Sequence, residues 1–247
     1  MFNIPPGPAL IPLCYVINLC KAGTLPFCFL CMHYFNNWSS TAYLITALHG
    51  SYGMLWFIKH FVFPDPHWNT KATIASNLLV VLPVLCFYWS AAYLTISRNI
   101  SLPPHQMFVA IMLYVTGVTL MLCADTQKYF VLRAKKGLIS DGWFSFCRNT
   151  NYLGEMLLYG SFAFVSHHAF PICFDLLIWG TVFAARWADK EESFRRKKGG
   201  DAYIESSSYI LPTQLWCMPV YAAFGYYMWN HYRLGPAAGV GAGAGVE

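Results

Sequence analysis

A polar segment from Arg148 to Glu155 separates a basic loop from a strongly apolar run. Within eight residues it carries one arginine, two asparagines, one tyrosine and one glutamate. If a helix starts here, Asn151 and Glu155 lie one turn apart on the same side, and the free N–H groups of the first turn favour an anion. Glu155 enters the apolar run, where an ionisable group costs roughly a few kcal/mol and usually faces a cavity or a partner. The segment therefore predicts a binding edge for a polar molecule; the alternative is that Arg148 and Glu155 only pair with each other.

A second polar segment, from Asp125 to Arg133, begins where an apolar run ends. Lys128 and Arg133 could contact a phosphate, the lysine as a point charge and the arginine in a forked geometry. The alternative is an ordinary helix end, where cations also interact favourably with the helix dipole. If the helix continues through this segment, Asp125 and Lys128 share one of its faces.

A third polar segment runs from Arg186 to Tyr203. Arg186 and Asp189 fall on one helical face. The basic run 195–198 is typical of a surface that faces solvent or lipid headgroups. The segment therefore offers two more side chains to a polar ligand on the same face as the other basic loop.

The N-terminal half contains one further pattern that could do chemistry. His49, Tyr52, Trp56 and Lys59 recur at helical spacing. A tyrosine hydroxyl near a cation can act as a proton donor, so Tyr52, His49 and the nearby Asp65 are the catalytic candidates. The alternative is a polar stripe that holds neighbouring helices together.

The composition indicates that these residues are positioned by membrane helices. The 247 residues are 57% hydrophobic and only 11% charged, whereas soluble domains carry about 25% charged residues. The nine cysteines are scattered, and no cluster has metal-ligand spacing, so we predict neither a metal site nor a disulfide framework. Two loops hold 11 of the 16 Lys and Arg residues. A positive-inside bias explains this distribution, and nucleic acid is not an expected partner of so apolar a chain.

Seven apolar runs suggest the helices, although Lys21 and Gly23 interrupt the first run and leave open whether it spans once. We predict an all-α, polytopic transmembrane bundle of about six to seven membrane helices. Residues 1–124 form N-terminal transmembrane helices, 125–234 a C-terminal domain with the polar loops, and 235–247 a disordered Gly/Ala tail. The runs at 151–166 and 169–185 are short and form a tight helical hairpin. The apolar runs are 8–31, 41–63, 74–96, 106–124, 151–166, 169–185 and 214–232.

The distribution of basic residues predicts the topology. Both basic loops flank the hairpin, so they lie on one side, and the positive-inside bias places them in the cytosol. The loops near 32–40 and 97–105 then face the lumen. The glycosylation sequons at Asn37 and Asn99 fall in these two loops.

These polar segments together resemble the C-terminal domain of the steroid 5-alpha-reductase and sterol reductase superfamily. The resemblance is closest to an uncharacterised branch with the pattern D-x-Q-K/R-x-x-F…G-x-x-x-x-G-x-F/W…R-x-x-N-Y-x-G-E, and the region from Tyr52 to Trp68 also looks similar to that branch. The chain departs from many relatives at Asn149 and Thr150, where they carry His-Pro. The matching residues are Asp125, Gln127, Lys128, Gly137, Gly142, Trp143, Arg148, Asn151, Tyr152, Gly154, Glu155, Arg186, Asp189, Tyr203 and Pro212.

The resemblance implies a multi-pass enzyme of the endoplasmic reticulum or another endomembrane, with cytosolic cofactor loops. Such an enzyme uses NADPH to reduce an activated carbon–carbon double bond in a sterol-like or lipid-like substrate, and membrane lipids surround it. The family's catalytic pair has no secure equivalent here, so Tyr52, His49 and Asp65 remain candidates from spacing alone. The phosphate argument adds Arg133 to the cofactor contacts that the resemblance implies. Those contacts are Lys128, Arg148, Asn151, Tyr152, Glu155, Arg186, Asp189 and Tyr203.

Two other functions stay open. The isoprenylcysteine carboxyl methyltransferases share the membrane core, and Glu191-Glu192 with Gly199 and Tyr203 resembles their Glu-Glu, Gly and Tyr element. Such an enzyme would bind S-adenosylmethionine, which has no phosphate. The third possibility is a non-catalytic lipid-binding or scaffold protein, because a fold does not fix a function.

Overall fold

The computed structural model describes residues 7–145, 147–211 and 226. It is 78% helical and all-α in class, as predicted. The helices are α1 (Leu13–Tyr34), α2 (Ser40–Val62), α3 (Ile74–Ser76), α4 (Leu82–Tyr88), α5 (Ser90–Ser97), α6 (Pro104–Ala134), α7 (Thr150–Ser166), α8 (Ala169–Ile178), α9 (Ala184–Arg195) and α10 (Gly200–Ser206). Short 3₁₀ segments at Pro66–Asn69 and Gly142–Ser145, and π-helical segments at Asn77–Val81 and Trp179–Phe183, join some of them.

A small two-stranded sheet departs from the purely helical prediction. Strand β1 (Ala9–Pro12) pairs antiparallel with β2 (Lys71–Thr73), with Ala9 opposite Thr73 and Pro12 opposite Lys71. The pairing joins the start of the chain to the loop that follows α2. Because the partners lie about 60 residues apart in the chain and each strand is only three or four residues long, local periodicity does not reveal it.

Three of the described helical stretches are long and apolar enough to cross a membrane: Leu13–Tyr34, Pro104–Ala134 and Ala169–Arg195. A fourth is possible if the bent pair Ile74–Tyr88 and Ser90–Ser97 counts as one span. The predicted number of six to seven membrane helices is therefore not confirmed. Helix α7 has only 17 residues, α2 carries several polar side chains, and the predicted span 214–232 and the tail 235–247 lie outside the described residues.

The first apolar run forms strand β1 and then, from Leu13 onward, one continuous helix. Lys21 is buried within α1, with 4% of its surface exposed, and Gly23 also lies inside the helix. The third run, in contrast, is broken at Trp89 with a bend of 44°. The Trp89 indole donates to Thr24 at 3.0 Å and stacks on Phe27, with ring centroids 4.5 Å apart. These contacts hold the bend against the C-terminal half of α1.

The predicted helical hairpin is present. Helix α7 ends at Ser166, and His167 adopts a left-handed backbone with φ 46°. The ring of His168 then accepts a hydrogen bond from the Phe170 amide and so caps α8. The second arm is longer than predicted, because helical structure continues from Ala169 to Arg195. The polar residues 186–192 therefore extend the hairpin's second arm rather than forming a separate loop.

The side chain of Asn37, the first sequon residue, makes hydrogen bonds inside the protein. Asn37 is buried, its amide donates to the Ile96 carbonyl at 2.8 Å, and its Oδ1 accepts from the Ser39 amide. The buried amide leaves no space for a glycan at Asn37, so this sequon does not support the predicted topology. The second sequon residue, Asn99, is exposed at a turn with φ 49°.

Helices α6 and α7 cross with their backbones in contact at Gly117 and Gly154. A Cβ added to Gly154 would lie 2.5 Å from both the Gly117 carbonyl oxygen and the Met121 nitrogen. Small residues at a helix crossing permit this approach in membrane proteins. Asp125 on α6 and Glu155 on α7 lie close to this crossing. The crossing therefore fixes the position of these two side chains relative to each other.

The substitution Gly154→Ala is expected to destabilise the protein by about 1–3 kcal/mol, since a methyl group has no space at this backbone contact. Gly160→Ala is the matched control in the same helix, because no atom lies within 4 Å of a Cβ added there. Chemical unfolding of the purified protein in detergent measures both. Equal stability of the two variants would contradict the close crossing.

Candidate functional site

Lys21 lies at the centre of a cluster of aromatic rings. Its ammonium is 3.6 Å from the ring centroid of Tyr88 and 4.3 Å from that of Tyr52, and it lies 5.6 Å from those of Trp56 and Tyr159. A cation within about 6 Å of a ring face is attracted to it. These five residues, contributed by α1, α2, α4 and α7, are called the Lys21 cluster below. The rings stabilise a charge that water hardly reaches.

The hydroxyls of Tyr52 and Tyr159 meet within the Lys21 cluster at 2.9 Å and share a hydrogen bond. Tyr52 is 1% exposed. The predicted stripe on α2 therefore faces inward, and the hydroxyl of its Tyr52 is bonded to a second tyrosine hydroxyl. His49 is also fully buried, but neither ring nitrogen has a hydrogen-bond partner among the described residues. It packs against Phe162, with ring centroids 3.8 Å apart.

A buried ion pair lies next to the Lys21 cluster. Lys59, from the end of α2, pairs with Asp125 on α6, and each side chain is only about one-tenth exposed. The Lys59 ammonium also lies 5.4 Å from the ring of Trp56, which in turn donates to Asn18 at 2.9 Å. The predicted continuation of α6 is thus present, but Asp125 faces the protein interior rather than a ligand at the surface.

Glu155 stands between these two groups. The charges of Lys59, Asp125 and Lys21 act on its carboxylate. It accepts no hydrogen bond from any side chain in the described part of the chain. Glu155 is only half-buried, so its carboxylate can receive a proton or a polar group of a ligand.

Basic residues gather on one side of the molecule, near the ends of α2 and α6 and the start of α9. Arg186 contacts the ring of His67. Burial lowers the pKa of His67, and the positive charges of Arg186 and Lys128 lower it further. Lys128 is exposed, and no carboxylate pairs with it among residues 7–145 and 147–211. Asp189 also lies near His67. Lys128, Arg186, Asp189 and His67 are called the basic mouth below.

Arg148 has a different role from the predicted one. Its guanidinium pairs with Glu191 at 2.7 Å and donates to the carbonyls of Ile204 and Ser207. The alternative that Arg148 pairs with Glu155 is therefore wrong. Its backbone N–H also donates to the Ser208 carbonyl at 3.0 Å. Arg148 thus clamps the segment after α10 against the start of α7, and its donors are directed inward.

Asn149, Asn151 and Tyr152 complete this clamp. The Asn149 amide donates to the Tyr209 carbonyl at 3.0 Å. Lys190 donates to the Arg148 carbonyl at 3.1 Å, and its ammonium lies 3.5 Å from Asn151 Oδ1. The ring of Tyr152 meets Phe183 edge-on at 4.9 Å. Most hydrogen bonds of the polar segment 148–152 therefore go to other residues of the protein, whereas its composition had predicted a bound ligand.

Three other predicted site residues also have structural partners. The buried Tyr203 hydroxyl donates to the Phe144 carbonyl at 2.8 Å, and burial raises the pKa of this tyrosine to about 12. Arg133 is exposed and donates to Tyr129 one turn earlier. Asp65 caps the 3₁₀ segment by accepting from the His67 amide at 2.9 Å, which brings it close to the basic mouth but not into the Lys21 cluster.

A groove of about 740 Å³ is lined by residues from both basic loops. It lies between the end of α6 and α10, and three lysines line it. Sequence reasoning did not single out Lys135 or Lys136, and it interpreted Lys198 only as part of the basic run 195–198. It also missed Lys21, Tyr88 and Tyr159, although a lysine within an apolar run was a visible signal for the first of these.

The residues that suggested a methyltransferase are both ion-paired. Glu191 pairs with Arg148, and Glu192 pairs with Arg196 at 2.7 Å. The Glu191 pair is half-buried and belongs to the clamp described above, whereas the Glu192 pair is exposed on α9. The hydroxyl of Tyr203, which belongs to the same resemblance, donates to the Phe144 backbone carbonyl.

The comparison with protein families gives one match. The family described as "Protein of unknown function (DUF1295)" matches residues 59–188, just over half of the 247-residue chain. The matched range includes Lys59, Asp125, Glu155, Tyr159 and Arg186. No curated protein matches the chain.

Proposed function

The chain belongs to the DUF1295 family of proteins of unknown function, and we propose that it is a membrane-embedded, NADPH-dependent reductase of an activated carbon–carbon double bond in a sterol-like or lipid-like substrate. The resemblance to the steroid 5-alpha-reductase superfamily supports this activity. The observation that carries the proposal is the hydrogen-bonded hydroxyl pair of Tyr52 and Tyr159 beside the buried Lys21 ammonium.

The basic mouth fits the phosphates of such a cofactor. Lys128 has no carboxylate partner in the described residues, and the side chain of Arg186 meets only the ring of His67 there. These two cations would hold phosphate groups, Arg186 through a forked contact and Lys128 as a point charge. Arg148 and Tyr203 are already occupied by backbone carbonyls, so we assign them to the architecture of the mouth rather than to direct cofactor contact.

The Lys21 cluster would supply the proton of the reduction. When bound, NADPH supplies a hydride to one carbon of the double bond. Tyr52 gives its hydroxyl proton to the other carbon or to the activating carbonyl oxygen, which balances the addition of one hydride and one proton. The Lys21 ammonium lies over the Tyr52 ring and stabilises the negative charge that develops on its oxygen. Tyr159 is hydrogen-bonded to Tyr52 and can return a proton to it.

Removing a cation from the basic mouth tests the cofactor assignment. Lys128→Ala and Arg186→Ala are each expected to weaken NADPH binding about 10- to 100-fold, since a hydrogen bond to a charged group contributes about 1.5–3 kcal/mol. Arg98→Ala is the matched control, because Arg98 is an exposed arginine that follows α5, away from the basic mouth. Titration of NADPH into the purified full-length variants measures the affinity. Equal affinities in all three variants would contradict the site.

A further inference from the structure

A second groove, of about 300 Å³, lies between α6, α7 and α8. Its lining is apolar except for one carboxylate. Gly160 leaves space in its wall, because no atom lies within 4 Å of a Cβ added there. The lining includes Leu113, Met156, Gly160, Phe164, Ile172 and Asp175.

Asp175 is the unusual member of this lining. It lies in α8, within the stretch Ala169–Arg195 that is long and apolar enough to span a membrane. No residue in 7–145 or 147–211 donates a hydrogen bond or an ion pair to its carboxylate. An ionisable side chain at membrane depth costs roughly a few kcal/mol and usually marks a binding or transport site. Asp175 is thus a hydrogen-bond acceptor for which the described part of the chain supplies no donor.

We propose that this groove binds a lipid with a compact hydrocarbon body and a single hydroxyl, and that the hydroxyl donates its hydrogen bond to Asp175. The apolar walls match the hydrocarbon, and about 300 Å³ is at the lower end of small-molecule pockets. A phosphate or carboxylate headgroup would be repelled by the aspartate. An ammonium headgroup would require two charges to be desolvated together, whereas a hydroxyl can pair with the carboxyl group in either protonation state.

The groove is separate from the proposed reaction centre. Tyr159 belongs to the Lys21 cluster, and the next residue, Gly160, lines the groove, so the two sites lie on different faces of α7. The lipid site therefore does not depend on the proposed reductase activity. It would remain if NADPH failed to bind.

Photolabelling of the purified full-length protein tests this inference. The probe is a compact alicyclic alcohol that carries a diazirine and an alkyne, and its methyl ether is the comparison. We expect saturable labelling of the α7–α8 hairpin by the alcohol, with at least tenfold less labelling by the ether. Asp175→Leu removes the acceptor, and Gly160→Leu fills the groove while leaving Asp175 in place. Each should reduce labelling by the alcohol at least tenfold.

The control is Gly180→Leu, which adds the same side chain where a Cβ also has open space but does not line the groove. It should keep full labelling. If Asp175→Leu does not fold, Gly160→Leu alone decides the outcome. Absent labelling of the wild-type protein, equal labelling by alcohol and ether, or unchanged labelling of Gly160→Leu would overturn the proposal. Stronger competition by an amine with the same hydrocarbon body than by the alcohol would overturn the choice of a hydroxyl.

Discussion

Replacing Tyr52 by Phe is expected to lower the rate of double-bond reduction by about 10²- to 10⁴-fold, the usual contribution of a positioned general acid. NADPH affinity should stay unchanged, because Tyr52 lies within the Lys21 cluster rather than at the basic mouth. The substitution removes one oxygen and leaves the ring that packs beneath Lys21 at 4.3 Å. The measurement is single-turnover oxidation of NADPH in the presence of an enone, together with cofactor affinity.

The control for Tyr52 is Tyr114→Phe. The Tyr114 hydroxyl is also buried at a helix contact, where it shares a hydrogen bond with Ser51 at 2.7 Å, but it does not belong to the Lys21 cluster. This variant should keep its turnover to within a few-fold. Full activity of Tyr52→Phe, or an equal loss in Tyr114→Phe, would show that the hydroxyl pair of Tyr52 and Tyr159 is not the proton donor.

The second large effect is expected at the ion pair of Lys59 and Asp125. Lys59→Met leaves the Asp125 carboxylate buried without its partner and should lower the free energy of unfolding by about 3–5 kcal/mol. Asp125→Leu should cost a similar amount for the complementary reason. The double variant carries two apolar side chains and should recover most of the loss, because replacing both partners of a buried pair is often nearly neutral.

Chemical unfolding in detergent of the two single variants and the double variant measures this coupling. The exposed pair Arg196–Glu192 on α9 is the control, since its removal should change stability by at most about 1 kcal/mol. Additive losses in the double variant would contradict a direct interaction between Lys59 and Asp125.

Local periodicity predicted the parts of this structure that depend on neighbouring residues in the chain. The inward stripe of α2, the continuation of α6 through Lys128 and Arg133, and the turn after Ser166 follow from helical spacing and from turn residues. The spacing shows which residues share a face. It does not show which other helix that face meets.

Contacts between distant segments could not be obtained in that way. The Lys21 cluster combines side chains from four helices, and the interruption of an apolar run was its only sign. Arg148 was predicted to contact a ligand because it is a cation at a helix start. It instead pairs with Glu191 and with the backbone of residues 204–207, partners 43 to 59 positions away in the chain. A cation's type predicts the chemistry of its partner but not whether that partner belongs to the protein.

The most direct test of the central claim is equilibrium binding of NADPH and of S-adenosylmethionine to the purified full-length protein. The proposed reductase should bind NADPH, lose affinity on Arg186→Ala, and show no measurable binding of S-adenosylmethionine. Tight binding of S-adenosylmethionine without binding of NADPH would contradict the account and favour a methyltransferase, and binding of neither would favour a non-catalytic lipid-binding protein.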